Sequence, residues 1–495
     1  MPSNQQLYLM YAGGQWFEAA SGQTFDSVDP YRGHIWARLQ RAGTEDVDRA
    51  VSSASAAFRS GDWANLTASM RGRLLTRLGD EILRNADELA TIESRDNGKP
   101  LSEMRAHIRE LAKWYYYYGG LADKLEGAVV PVDKPDMFTF TRKEPLGVCV
   151  AITPWNSPLM LATWKLAPGL AAGNTFVLKP SEFTSASSLE LCRVFEAAGF
   201  PPGVLNVVTG FGTEIGESLV SHPDVAKVTF TGGDAAGDRV AALAAKHRKR
   251  LTLELGGKSP NIVFADANLD NAARGVAAGI FAAAGQTCIA GSRLLVQEEI
   301  AEELLERVGE IARSARMGDP LDGDTQVGPI TTPAQFNKIL EYIDIGHQEG
   351  AKCILGGAAK AIPDAPTARF IEPTIFDAVL PDMRIAQEEI FGPVLAAIRF
   401  QGEEEAVGIA NNIRYGLAAG VWTGDIGRAF RMAERLQAGT VWVNTYRAAG
   451  FQMPFGGYKK SGYGRENGLE AINDFLQTKS VWIGLGDTSD PFRMR

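Results

Sequence analysis

The run Leu146-Gly147-Val148-Cys149-Val150-Ala151-Ile152-Thr153-Pro154-Trp155-Asn156-Ser157-Pro158 sets the architecture of this chain. It opens as an unbroken apolar, β-branched stretch and closes as a polar loop held between prolines. An apolar run of this length with turn residues behind it reads as a strand buried on both faces. Similar runs follow at 175–178, 205–208, 225–230 and 251–255. The segments between them are long enough for helices, as at 187–198. Strands alternating with helices at this spacing predict a parallel, doubly wound α/β sheet. Such sheets take nucleotides beyond the carboxyl ends of their strands. Asn156 lies at one of those ends. The prolines restrict the backbone on both sides, so the loop can hold a side-chain amide where negative charge develops.

A second strand-and-helix series begins at 262–264, with helical patterns at 269–284 and 298–315. It reads as another doubly wound α/β domain, as a length of 495 residues requires more than one core. The break at Gly256-Gly257 places Glu254 and Cys288 on opposite sides of an interdomain cleft, a common position for a ligand site. Upstream, 44–59 reads as a helix with Val47, Ala50, Val51, Ala54, Ala57 and Phe58 in one apolar stripe and Glu45, Asp46 and Asp48 near its start. A second helical pattern carries Leu74, Leu75, Leu78 and Ile82. Segments 129–132 and 138–142 read as a β-hairpin, and 479–483 as a late strand. The expected division is 1–122 with 145–256 as a dinucleotide-binding domain, 257–475 as a catalytic domain, and 123–144 with 476–495 as a small arm.

The chemistry concentrates in short motifs. Cys288 ends Gly285-Gln286-Thr287-Cys288, after the small residues Ala282-Ala283-Ala284, which leave room for a carbonyl to approach sulfur. A thiolate is a strong nucleophile, and a nearby carboxylate can activate water to release what the thiolate has captured. Glu254 begins Glu254-Leu255-Gly256-Gly257-Lys258-Ser259-Pro260; alone it could equally cap the next helix. Gly257-Lys258-Ser259 imitates the end of a P-loop, but Thr252 stands where that motif needs its first glycine. Thr229-Phe230-Thr231-Gly232-Gly233 follows a strand and leads through Gly237 into a helix, so backbone can approach a pyrophosphate at a helix N-terminus. The spacing is not Gly-x-Gly-x-x-Gly.

Taken together with Glu388-Glu389-Ile390-Phe391-Gly392-Pro393, these motifs resemble the aldehyde dehydrogenase superfamily, in family order from Asn97-Gly98-Lys99-Pro100 to Ser461-Gly462-Tyr463-Gly464-Arg465-Glu466. The resemblance implies a Rossmann-like cofactor domain, a catalytic domain and an arm that pairs with another subunit. It implies Cys288 as nucleophile, Glu254 as general base, and Asn156 with the Cys288 N–H as oxyanion donors. For the cofactor it implies Ile152, Pro154, Trp155, Lys179, Ser181, Glu182, Thr231, Gly232, Gly233, Leu255, Glu389 and Phe391. Gly233 departs from the Ser usual there. A carboxylate at Glu182 beside the 2′-hydroxyl favours NAD over NADP, without excluding NADP. Trp164, Ile289 and Phe455 are implied at the substrate, with Asn444 in the late catalytic segment.

Trp114, Tyr117 and Tyr118 share one helix face, a stripe that core packing alone would explain. The resemblance implies that this helix flanks the substrate tunnel, where with Trp164 and Phe455 it would make an aromatic-walled entrance suited to apolar or aromatic aldehydes; Arg447 would instead greet a carboxylate-bearing one. The other readings are a CoA-acylating relative, which generally lacks a base at Glu254, and a binding or structural protein on the same fold, which usually lacks the nucleophile. Fifty basic against 59 acidic residues disfavour nucleic acid. Lys246-His247-Arg248-Lys249-Arg250 suits a helix C-terminus. No apolar stretch reaches bilayer length, and four scattered cysteines argue for the cytoplasm and against disulfides or a metal site. A homodimer or homotetramer is expected.

Overall fold

The structure, a computed structural model, describes residues 6–487 and Phe492. Parts of the expected first domain and arm, at 1–5, 488–491 and 493–495, lie outside the described residues. The fold is two α/β units, each around its own largely parallel sheet.

In the first sheet, five parallel strands lie in the order Leu205–Val207, Thr175–Lys179, Val148–Ile152, Val225–Thr231 and Arg250–Glu254. Their direction of winding reverses between Val148–Ile152 and Val225–Thr231. A crevice therefore opens beyond Ile152 and Thr231, where such sheets bind their ligands. Met10–Ala12 and Gln15–Phe17 extend one edge antiparallel. Gly462–Tyr463 closes the other edge, pairing Glu254 with Gly462. The late chain thus returns to the first unit, and Ala471, Ile472 and Phe475 join the core formed by Trp164, Leu166, Leu170 and Phe176.

The expected helix near residue 44 is Thr44–Ser60, burying Val47, Ala50, Val51 and Ala54 against this sheet. The next, Ala68–Arg84, buries Leu74, Leu75, Leu78 and Ile82. The second sheet runs Thr374–Asp377, Val394–Phe400, Arg293–Gln297, Pro260–Val263, Ala418–Trp422 and Thr440–Val443, all parallel, with Lys352–Leu355 antiparallel on the edge.

Two expectations need correcting. The hairpin at 129–142 reduces to a bridge between Val129 and Phe140. Met137–Pro145 instead pairs along its whole length with Leu476–Gly484. Two backbone bonds make up the pairing around Val129 and Phe140, from the Val130 N–H to the Thr139 carbonyl and from the Thr141 N–H to the Ala128 carbonyl. The helix expected at 269–284 stops at Ile280; Ala283, Ala284 and Gly285 then take left-handed φ values of 53°, 51° and 68°.

Candidate active site

The left-handed turn determines where Cys288 goes. A Cβ on Gly285 would lie 2.1 Å from the Gly392 carbonyl oxygen, so the Cys288 loop and the Glu389–Phe391 loop cross backbone to backbone. Only glycine fits there. Left-handed alanines cost roughly 1–3 kcal/mol each, a strain that surrounding packing must hold. Phe391 is also left-handed, at φ 60°. Gln335 secures that loop by donating to the carbonyls of Ile390 (2.7 Å) and Phe391 (3.0 Å).

Cys288 lines a cavity of about 170 Å³ together with Pro154, Trp155, Asn156, Thr231, Gly232, Gly233, Glu254, Leu255, Glu389 and Phe391. Residues from both units and from four motifs thus meet around one space. Asn156 is buried, and its Nδ2 donates to the Gln286 carbonyl at 3.0 Å, two residues before the thiol. An amide has two N–H groups, so one remains for a ligand. Burial, then Glu254 and Glu389, push the Cys288 thiol up to about 12, while the N–H groups of Cys288 and Ile289 oppose the shift.

Glu254 sits at the strand end beside Thr231 and is 3% exposed. Neither of its carboxylate oxygens has a hydrogen-bond partner among the described residues. Burial holds its pKa well above the usual carboxylate range; Glu466 adds to this, and Lys165 and Arg465 oppose it. Buried Lys165 donates to Thr231 Oγ1 at 2.6 Å and to Glu466. Glu389 accepts from the Gly257 N–H at 3.0 Å and is raised by burial. The Trp155 and Phe391 rings meet edge to face across the cleft, with centroids 5.3 Å apart.

A larger cleft of about 630 Å³ continues from this cavity along the strand ends. Ile152, Lys179, Ser181, Glu182, Thr231, Gly232 and Gly233 line it, beside Phe183, Arg239 and Leu243. Gly233 is the N-cap of helix Asp234–Lys246 and offers no side-chain cap, and its Cβ position faces open space. First-turn N–H groups therefore open into the cleft, as an anionic diphosphate requires. Lys179 lies 3.5 Å from Glu182, leaving a carboxylate and an ammonium together at the far end. The donor set fits a dinucleotide.

Trp164, Ile289 and Phe455 do not line the cavity that holds Cys288. They pack instead into an adjoining aromatic cluster: Trp164 stacks on Trp114 at 6.2 Å and meets Phe455 at 5.0 Å, while Phe451 meets Trp114 at 5.7 Å. Arg447 donates to the Ala278 carbonyl and lies 3.7 Å from Glu103, so its charge is already matched. Asn444 exchanges two hydrogen bonds with the Thr423 backbone, a local tie in the second sheet. Gln335 and Lys338, which sequence motifs did not single out, line the thiol cavity from helix Pro333–Gln348. Leu161 and Arg239 are further lining residues without a local signature.

A dinucleotide-sized cleft ending at a half-buried cysteine and a buried carboxylate is the arrangement a thiol-dependent dehydrogenase requires. The aldehyde dehydrogenase family model matches residues 16–481, and the chain belongs to that family. It is an oxidoreductase acting on aldehydes. The chain is 45% identical to (Z)-2-((N-methylformamido)methylene)-5-hydroxybutyrolactone dehydrogenase of Acinetobacter baylyi, over 99% of this chain and 100% of that protein. Among solved structures it superposes on betaine aldehyde dehydrogenase from Staphylococcus aureus in complex with NAD+, with a TM-score of 0.96, 38% identity and coverage of 98% and 97% of the two chains. The NAD-dependent aldehyde dehydrogenase of Sinorhizobium meliloti gives 0.96 at 41% identity, covering 99% and 97%.

Proposed function

We propose that this enzyme oxidises an apolar or aromatic aldehyde to its carboxylic acid, with Cys288 as nucleophile and NAD as acceptor. The observation that carries the reading is the meeting of Cys288, Asn156 and Glu254 in one cavity that opens into the dinucleotide cleft. Ile152, Pro154 and Trp155 would flank the cofactor, and Lys179, Ser181 and Glu182 would hold its adenosine ribose. Thr231, Gly232 and Gly233 would face the diphosphate; Leu255, Glu389 and Phe391 would position the nicotinamide end. NAD, when bound, supplies the hydride acceptor.

The Cys288 sulfur adds to the aldehyde carbon, and the resulting oxyanion takes hydrogen bonds from the second Asn156 N–H and the Cys288 backbone N–H. Oxidation leaves a thioester on sulfur. Glu254 then removes a proton from the water that attacks it, releasing the acid and restoring the thiol. Ile289, Trp164 and Phe455 would bound the substrate. The aromatic cluster supports an apolar substrate, and the Arg447–Glu103 pairing weighs against a carboxylate-bearing one.

No helix among the described residues is long and apolar enough to cross a membrane. The cytoplasm remains the proposed location. Exposed Phe138, Trp482 and Ile483 on the paired arm support a homodimer or homotetramer. NADH formation with a panel of aldehydes, with and without CoA, tests the activity: acid formation independent of CoA is expected, and acyl-CoA as product would replace this reading. A higher kcat/KM for succinic semialdehyde than for benzaldehyde would overturn the substrate preference.

A further inference from the structure

Asn97-Gly98-Lys99-Pro100 lies outside both cavities, yet it contacts both loops that build the oxyanion site. Helix Ala86–Asn97 ends at a left-handed Gly98, whose Cβ position is 3.0 Å from Pro329 and 3.3 Å from Pro30. A Cβ on Gly328 would in turn lie 1.8 Å from the Gly98 carbonyl oxygen. This close approach locks the segment onto residues 328–331 of the second unit. There Thr331 Oγ1 donates to the Asn97 carbonyl at 2.5 Å, and the Thr331 N–H donates to Gln286 Oε1 at 3.0 Å. Gln286 belongs to the Cys288 loop.

On the other side, Lys99 reaches into the first unit. Its side chain is buried, and Nζ donates to Ser157 Oγ at 2.9 Å. The Ser157 hydroxyl donates to the Asn156 carbonyl at 2.8 Å. Glu93, on the same helix as Asn97, accepts from the Leu159 N–H at 3.4 Å, in the first turn of helix Pro158–Ala171. Ser157, the N-cap of that helix, makes no side-chain cap bond of its own. The loop bearing Asn156 is therefore held from outside, by one ammonium and one carboxylate. A buried ammonium is costly unless it is hydrogen-bonded and has a counter-charge. Burial lowers the Lys99 pKa, and the Ser157 hydroxyl with Glu103 and Glu93 nearby offsets part of that cost.

We propose that Lys99 is a positioning residue for the oxyanion site, fixing Asn156 through Ser157 against the loop that carries Cys288. The proposal rests on Asn156 being an oxyanion donor. An amide held out of place by an ångström or less loses most of its advantage in the transition state.

A double-mutant cycle on the full-length enzyme tests it, using Lys99→Met and Ser157→Ala, each in the wild-type and Asn156→Ala backgrounds. Rapid kinetics would follow the first NADH-forming step, with NAD affinity measured by fluorescence titration. In the wild-type background Lys99→Met should slow that step on the order of 10²-fold, Ser157→Ala by less, and NAD affinity should hold. In the Asn156→Ala background both should cost less than about threefold, because the group they position is gone. Lys99→Arg, which keeps a donor, should recover part of the rate. Equal losses in the two backgrounds would show a general structural role and overturn the proposal. An unaffected rate in Ser157→Ala with a folded protein would also overturn it. Failure of the underlying reading is seen separately, as an Asn156→Ala enzyme of wild-type rate.

Discussion

The two ends of the cleft differ in how they treat charge. At the thiol end the titrating groups are desolvated and displaced: Cys288 to about 12, with Glu254 and Glu389 above their usual range. At the adenosine end the charges are paired, with buried Lys179, lowered by desolvation, 3.5 Å from the partly exposed Glu182, and helix N–H groups face the cleft. At one end the desolvated acids lack a close counter-charge; at the other a desolvated ammonium has one in Glu182. Rate and affinity should therefore separate along the cleft.

The largest separation should come from Cys288→Ala, which removes the bond-forming atom and should reduce NADH formation to background while leaving NAD affinity, measured by fluorescence, unchanged. Turnover in that variant would end the assignment of the thiol. Next comes Glu254→Gln, expected to slow deacylation roughly 10²–10⁴-fold, so that one burst of NADH precedes a slow steady state in stopped flow. Equal loss in both phases would count against its role as base.

The pH profile probes the same end without mutation. In the proposed mechanism Cys288 and Glu254 both act deprotonated, and both groups are held above their ordinary values. The population of each reactive form therefore grows as pH rises, so kcat/KM should climb from pH 6 toward the alkaline side. A maximum on the acid side of neutrality would contradict the burial that raises them.

At the adenosine end, Glu182→Ala should weaken NAD roughly tenfold by removing a hydrogen bond to a charged group and narrow the preference over NADP, with little change in kcat at saturating cofactor. The smallest effect is Gly233→Ser. Its Cβ meets nothing within 4 Å, and its hydroxyl can cap helix Asp234–Lys246. A gain of a few tenths of a kcal/mol in stability should appear as a slightly higher Tm, with equal or tighter NAD binding. A loss of affinity would show that the bare glycine is needed for backbone approach.

Much of this plan is legible in the chain because its strongest signals are local. Apolar runs end in Pro154-Trp155-Asn156, in Thr231-Gly232-Gly233 and in Glu254-Leu255-Gly256, so each motif sits beside the strand that aims it. Cys149 and Cys288 show the limit of that logic. Both thiols are raised to about 12 by burial, yet one is locked within a central strand and the other borders a cavity. Their neighbours in sequence distinguish them better than their acidity does. What stays hidden depends on contacts between distant segments. Gln335 and Lys338 read as part of an ordinary amphipathic helix, and the reach of Lys99 to Ser157 leaves no periodic mark. The left-handed Ala283-Ala284 turn runs against local preference, since alanine favours a continuing helix. The crossing at Gly285 and Gly392 overrides it.

The short strand Gly462–Tyr463 has a consequence for handling and engineering the protein. Because it forms the sheet edge beside Glu254, the wall around that carboxylate depends on a segment remote in sequence. Ser461 ties the same edge to the crossover, receiving the Leu255 N–H and donating to the Gly256 carbonyl. A premature stop or proteolytic nick shortly before residue 461 would strip one wall from that carboxylate, though it lies more than two hundred positions away. The same cut would remove Ala471, Ile472 and Phe475 from the first unit's core and Glu466 from Lys165, which holds Thr231, so nucleotide-resin binding should be lost together with activity.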